Sequence, residues 1–104
     1  MQLTRGRVYA AVLGDYGEKL YLVVSNNRRN QALRRALVVR LTTSARPRMP
    51  SIVELDRCGT FTGRVCCDEI EYLYPDEARR DAGALTRGEM TRVEDGLRAA
   101  LGLR

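Results

Sequence analysis

The chain reads as a single α+β domain: a small, strongly curved antiparallel sheet closed by one helix near the C-terminal end. Three observations predict this. Lys19-Leu20-Tyr21-Leu22-Val23-Val24-Ser25-Asn26 is a β-branched, aromatic and apolar run closed by turn-forming residues, as expected of a buried central strand. Similar runs flank it with short connections between them. Residues 86–102 carry the one clear helical pattern, with a start signal, a periodic stripe and a stop. Strands on short loops followed by a terminal amphipathic helix pack as a sheet covered by that helix.

In chain order, Arg7-Val8-Tyr9-Ala10-Ala11-Val12-Leu13 is the first strand, and Gly14-Asp15-Tyr16-Gly17-Glu18 turns it into the Lys19 strand as a hairpin. Asn26-Asn27-Arg28-Arg29-Asn30-Gln31 breaks the pattern. Ala36-Leu37-Val38-Val39-Arg40-Leu41-Thr42 resumes it, leaving Thr42 at a strand end where a hydroxyl can face a groove. Pro47 and Pro50 bracket an exposed basic loop, and Ser51-Ile52-Val53-Glu54-Leu55 alternates like a half-buried strand. Cys58 to Gly63 is a linker, and Arg64-Val65-Cys66-Cys67-Asp68-Glu69-Ile70-Glu71-Tyr72 is a fifth strand with an acidic second half. Alternation along it sends Glu69 and Glu71 to one face and Asp68 with Ile70 to the other.

The helix starts at Thr86, whose hydroxyl and the Glu89 carboxylate three residues on can satisfy two orphan backbone donors reciprocally. Leu85 and Met90 fit the hydrophobic staple around that cap. Met90, Val93, Leu97 and Leu101 recur at helical spacing as a core stripe, and Gly102 stands where a left-handed cap ends the helix.

At 104 residues, 44% hydrophobic and 30% charged, the chain suits one globular domain with a modest core, and a small core makes dimerisation easy. No apolar segment approaches the roughly 20 residues that span a bilayer, and Met1 to Arg5 lacks the apolar core of a signal peptide, so a cytoplasmic location is expected. Histidine is absent, which removes the commonest general base and the commonest metal ligand together. Catalysis would fall to Lys, Arg, Thr, Asp or Glu, with no metal and no cofactor called for. Neighbouring Cys66 and Cys67 point to opposite faces of a strand and make a poor metal claw, so the three cysteines read as small buried hydrophobes, with a reactive thiol as the alternative.

The formal charge is +5, with ten basic and two acidic side chains in residues 1–50. Arg28, Arg29, Arg34, Arg35, Arg40, Arg46 and Arg48 crowd together there, either as a footprint for a polyanion or as solvated loops in an arginine-rich protein. Lys19 is the single lysine among 18 basic residues. Its bland reading is chance in an arginine-biased composition. Its chemical reading is a compact ammonium donor at the mouth of a strand, aimed at a phosphate or a proton in transfer.

Taken in order, Arg5-Gly6-Arg7-Val8-Tyr9, Leu22-Val23-Val24-Ser25-Asn26, Val38-Val39-Arg40-Leu41-Thr42, Pro50-Ser51-Ile52-Val53-Glu54-Leu55, Cys67-Asp68-Glu69-Ile70 and Leu101-Gly102-Leu103 resemble the MazF/PemK family of toxin endoribonucleases. The resemblance runs over nearly the whole chain and rests on the order and spacing of these pieces rather than on any one. It implies an SH3-like small barrel and a homodimer that cuts single-stranded RNA without metal, held in check by a cognate acidic antitoxin. Residue by residue, it puts Thr42 on the family's threonine and Lys19 where the family usually carries an arginine before a proline. It also puts Asp68 on an acidic position that some members use as a base. Glu69 and Glu71 stand for a common glutamine and a common arginine, and with Asn26, Arg28, Arg40, Arg46 and Arg48 they are the expected RNA-contacting set. Two other readings share the fold: a gyrase-binding toxin, which usually ends in an aromatic-rich helix tip that this chain lacks, and a catalytically silent member that only binds RNA or antitoxin.

Overall fold

A computed structural model describes residues 1–104. The elements are β1 (Arg7–Val12), β2 (Glu18–Val23), α1 (Asn27–Leu33), β3 (Ala36–Thr42), β4 (Ile52–Glu54), β5 (Arg64–Leu73), β6 (Ala78–Ala84) and α2 (Arg87–Leu101), with a short 3₁₀ turn at Pro75–Glu77. One antiparallel sheet holds all six strands in the order β4-β5-β3-β2-β1-β6, so the Lys19 run does lie at its centre.

Alternation along the strands makes two cores. Val8, Leu22, Val39, Leu41, Val65 and Cys67 face α2 and pack with Met90 and Val93. Tyr9, Tyr21, Val23, Ala36, Val38 and Leu73 face the other way, where Leu3 joins them. The curvature is as expected, although β4 and β6 are free edges and share no hydrogen-bonded ladder. Phe61, on the linker between β4 and β5, and Ala82, on β6, both pack against the α2-side core.

The α2 signals act as the sequence predicts. The Thr86 hydroxyl accepts from Glu89 N–H at 3.1 Å while Glu89 Oε1 accepts from Thr86 N–H at 2.9 Å, and Gly102 takes the left-handed conformation at φ +70°. The other Glu89 oxygen accepts from Asp56 N–H at 3.1 Å, so this 1% exposed carboxylate also ties down the turn after β4. Burial of Met90 and Val93, worth about 1.5–3 kcal/mol each, holds the helix more firmly than propensity can. Leu101 departs from the expected stripe: it is 55% exposed, because the buried face of the last turns runs through Gly96 and half-buried Leu97. A Cβ at Gly96 would come within 2.7 Å of Val53 Cγ2 and 2.8 Å of Cys67 Sγ. Gly96→Ala therefore pits a helix-propensity gain of about 1 kcal/mol against overpacking of about 1–3 kcal/mol. Overpacking is expected to win, and a melting temperature at or above the parent's would show that the helix can step back from β5.

Two elements escaped the sequence reading. The segment read as a break is helix α1: Asn26 caps it by accepting from Arg29 N–H at 2.9 Å. Buried Asn30 is satisfied by Ser25, whose carbonyl accepts from Nδ2 at 3.0 Å and whose hydroxyl donates to Oδ1 at 2.5 Å. Ser25 Oγ also accepts from Leu37 N–H at 2.8 Å, fastening the helix to β3. Strand β6 has poor β formers, Ala-Arg-Arg-Asp-Ala-Gly-Ala, and exists because it pairs with β1 through two register shifts. A 2.6 Å ion pair between Arg7 and Asp81 crosses that pairing and holds the Asp81 carboxyl below its ordinary range.

Candidate active site

The register of β2 on β3 pairs Leu20 with Leu41 and Tyr21 with Arg40, so the next pair along is Lys19 opposite Thr42. The Tyr21–Arg40 and Lys19–Thr42 positions project from the sheet face away from α2, where the apolar core gives way to polar side chains, whereas Leu20 and Leu41 face α2. Lys19 and Thr42 line one cleft of about 260 Å³ with Glu18, Arg40, Thr43, Ser44 and Thr62. Ser44 N–H donates to Thr42 Oγ1 at 3.1 Å, which leaves the Thr42 hydroxyl proton free for another acceptor. Lys19 takes part in none of the seven ion pairs of the chain.

The floor of this cleft is held from behind. Arg64, beside Thr42 across β3 and β5, donates to the Thr43 and Ser44 carbonyls at 3.0 and 2.5 Å and grips Glu54 with Nε at 2.9 Å. That contact holds the Glu54 carboxyl below its ordinary range.

Asp68 is not in the Lys19–Thr42 cleft. The β3–β5 register jumps from Val39↔Ile70 to Arg40↔Cys66, so Cys67, Asp68 and Glu69 form a bulge. Asp68 lines a second cleft with Tyr16, Tyr21, Glu69, Ile70 and Glu71, and Arg40 is the wall between the two. One Asp68 oxygen accepts from the Ser51 hydroxyl at 2.6 Å. Glu69 and Glu71 act on the same group despite the bulge: burial first, then the charge of Glu71 and, more weakly, of Glu69, holds the Tyr21 phenol above its ordinary range. Glu69 also lies between two guanidinium groups, 3.8 Å from Arg40 Nη1 and 3.6 Å from Arg46 Nη2.

Arg46 and Arg48 line a third cleft, of about 410 Å³, beside β4 and Arg64. Asn26 and Arg28 lie past the far end of β2 from Lys19, where Asn26 is engaged as the α1 cap and Arg28 is exposed. Sequence reasoning passed over Glu18, Thr43, Ser44 and Thr62. Only Thr43 and Ser44 carried a signal, as hydroxyls continuing from Thr42.

A clustered cation, hydroxyl and carboxylates without histidine on a curved antiparallel sheet narrow the possible relatives. Residues 4–101 match the family described as PemK-like, MazF-like toxin of type II toxin-antitoxin system. The chain belongs to the PemK/MazF toxin family. Relatives include endoribonuclease MazF4 of Mycobacterium tuberculosis and endoribonuclease MazF1 of Mycobacterium bovis, each 41% identical over 95% of this chain and 92% of the relative. A mycobacterial endoribonuclease in complex with its cognate antitoxin superposes with a TM-score of 0.90 at 40% identity, covering 97% of this chain and 96% of that one. MazE–MazF from Deinococcus radiodurans, at 20% identity and a TM-score of 0.79 over 97% of this chain and 96% of that one, shares the fold.

The cysteines of this PemK/MazF chain divide. Cys66 and Cys67 are buried, as the sequence suggests for all three, whereas Cys58 is exposed on the linker. Burial pushes the Cys66 thiol up to about 11, helped by Glu69, and the Cys67 thiol up to about 12, helped by Asp68. Raised folded-state values bind the proton more tightly than the unfolded chain does, so their stabilising contribution is present below about pH 9 and lost as pH rises toward 11. At pH 8, iodoacetamide is expected to label Cys58 alone in the native protein and all three residues after unfolding. Native labelling of Cys66 at the Cys58 rate, read by mass spectrometry, would overturn this.

Proposed function

We propose that this protein is the toxin of a type II toxin–antitoxin pair and cleaves single-stranded RNA, with Lys19 and Thr42 at the scissile phosphate. The observation that carries the reading is that these two residues, just beyond the last Leu20–Leu41 pair of β2 and β3, line one cleft. Membership of the PemK/MazF family and relatives named endoribonucleases support the reaction class.

In this reaction a 2′-hydroxyl attacks the adjacent phosphorus: the 2′-O–P bond forms, the P–O5′ bond breaks, and a 2′,3′-cyclic phosphate and a 5′-hydroxyl result. It needs a base at the 2′-hydroxyl, charge stabilisation on the phosphorane and an acid at O5′. Lys19 gives its proton to O5′, and the free Thr42 hydroxyl proton bonds a non-bridging oxygen. The adjoining nucleotide then lies over the second cleft, where Asp68 accepts the 2′-hydroxyl proton. Glu69 and Glu71 there repel phosphates and accept from exocyclic amines or a guanine edge, which sets base preference. Arg46 and Arg48 hold flanking phosphates, which makes binding salt-dependent. Asn26 and Arg28 have no part in this site.

The antitoxin is an acidic segment that folds along the arginine-rich surface, a reading supported by the mycobacterial relative solved with its cognate antitoxin. Exposed Tyr72, Leu101 and Leu103 offer apolar surface to a second copy in a homodimer. No helix is long and apolar enough to cross a membrane, and the proposed place of action is the cytoplasm, where the RNA is.

Incubating the purified protein with a long RNA in EDTA tests the reading. Cuts at a recurring motif with 5′-hydroxyl ends are expected. Intact RNA would overturn it, and capture of gyrase without cleavage would replace it with the gyrase-binding reading.

A further inference from the structure

We propose that Arg40 is a catalytic residue of this cleavage, the fixed positive charge that stabilises the phosphorane while Lys19 serves as the acid; this rests on the function proposed above. Arg40 stands on β3 two residues before Thr42, on the same sheet face as Lys19. It is the only residue that lines both the Lys19–Thr42 cleft and the Asp68 cleft. A phosphate held between the proposed acid and the proposed base therefore has to pass it.

The Arg40 side chain is only 20% exposed, and its Nε–H is buried with no hydrogen-bond partner. Arg35 carries an equally open Nε–H outside both clefts, so it is the place of Arg40 between the Lys19–Thr42 and Asp68 clefts that sets it apart. The nearest carboxylate, Glu69, is 3.8 Å from Nη1, too far for a hydrogen bond, and is shared with Arg46 at 3.6 Å. Glu69 thus orients the guanidinium without neutralising it, and a phosphate oxygen can bond its terminal Nη–H groups.

Chemistry separates the two cations. An ammonium that hands its proton to O5′ becomes neutral as the P–O5′ bond breaks, so it cannot also hold the charge on the non-bridging oxygens throughout. A guanidinium keeps its proton at any working pH and can hold that charge to the end. No proton passes through Arg40: the 2′-hydroxyl proton goes to the carboxylate and the O5′ proton comes from Lys19.

The test compares the parent with Arg40→Ala and with Arg40→Gln, which keeps most of the stem. It measures the single-turnover cleavage rate, the Kd for a 2′-O-methyl RNA of the same sequence, and the rate with millimolar guanidinium added. The expected result is a rate loss of about a hundredfold or more in both variants with a Kd change under about fivefold. Guanidinium is expected to restore at least about tenfold to Arg40→Ala and nothing to the parent, which a purely structural role would not produce. Variant rates within about threefold of the parent, or a loss carried wholly by Kd, would overturn the proposal. A parent that leaves RNA intact brings down the functional reading and this one with it, whereas an active parent with unimpaired variants brings down this one alone.

Discussion

Lys19→Ala is expected to cut the RNA cleavage rate by about a hundredfold or more, the scale of removing one preorganised donor from a transition state. Lys19 has no ion-pair partner to leave exposed and sits at the start of β2, where its side chain supports no core contact. Its removal is therefore expected to change stability by no more than about 0.5 kcal/mol, as for ordinary surface positions. Lys19→Arg keeps the charge but shifts it outward on a planar, far weaker acid, so partial activity is expected. Single-turnover rates alongside thermal melts check this. An alanine variant as fast as the parent would remove Lys19 from the chemistry, and a matching fall in melting temperature would make its effect structural.

Gly63→Ala is expected to give the largest loss of stability, and to take activity with it. Gly63 has φ +95°, and a Cβ there would collide with the Thr42 carbonyl oxygen and lie 3.0 Å from Thr43 Cα. Backbone cannot rotate aside as a side chain can. Strain of about 1–3 kcal/mol and overpacking of about 1–3 kcal/mol therefore add. For a domain of this size, each kcal/mol moves the melting temperature by about 4–8 °C, so a fall of about 10 °C or more is expected. Gly17→Ala is the control: its φ is +76° but nothing lies within 4 Å of a Cβ, so only strain applies. If Gly63→Ala melts no lower than Gly17→Ala, the close approach to Thr42 carries no energetic weight. Activity is expected to fall further than stability, because Thr42 must give way for the new methyl group.

The parts of the fold legible in the sequence are those whose causes are local. The α2 cap, its reciprocal Glu89 bond and the Gly102 stop lie within a few residues of each other, and the structure reproduces them. Strand β3 runs over the predicted residues Ala36–Thr42, because a continuous β-branched and apolar run between polar turns has few other solutions. Lys19 and Thr42 stood out for the same kind of reason, one as the single lysine and the other as a hydroxyl closing a strand.

What tertiary structure alone decided depends on pairings distant in sequence. Helix α1 stands on Ser25, Asn30 and Leu37 satisfying one another, which turns a turn-like string into a helix. Strand β6 overrides its own propensities because β1 offers an unpaired edge. Meeting of Lys19 with Thr42 is a matter of register, and in a sheet a one-residue slip would send either side chain to the opposite face. The bulge at Cys67–Glu69 puts Asp68 against Ser51 and leaves Arg40 as the wall between two clefts, with its Nε–H unfilled. Composition and periodicity carry no trace of that wall, because it follows from the register jump of β5 on β3 between Val39 and Arg40.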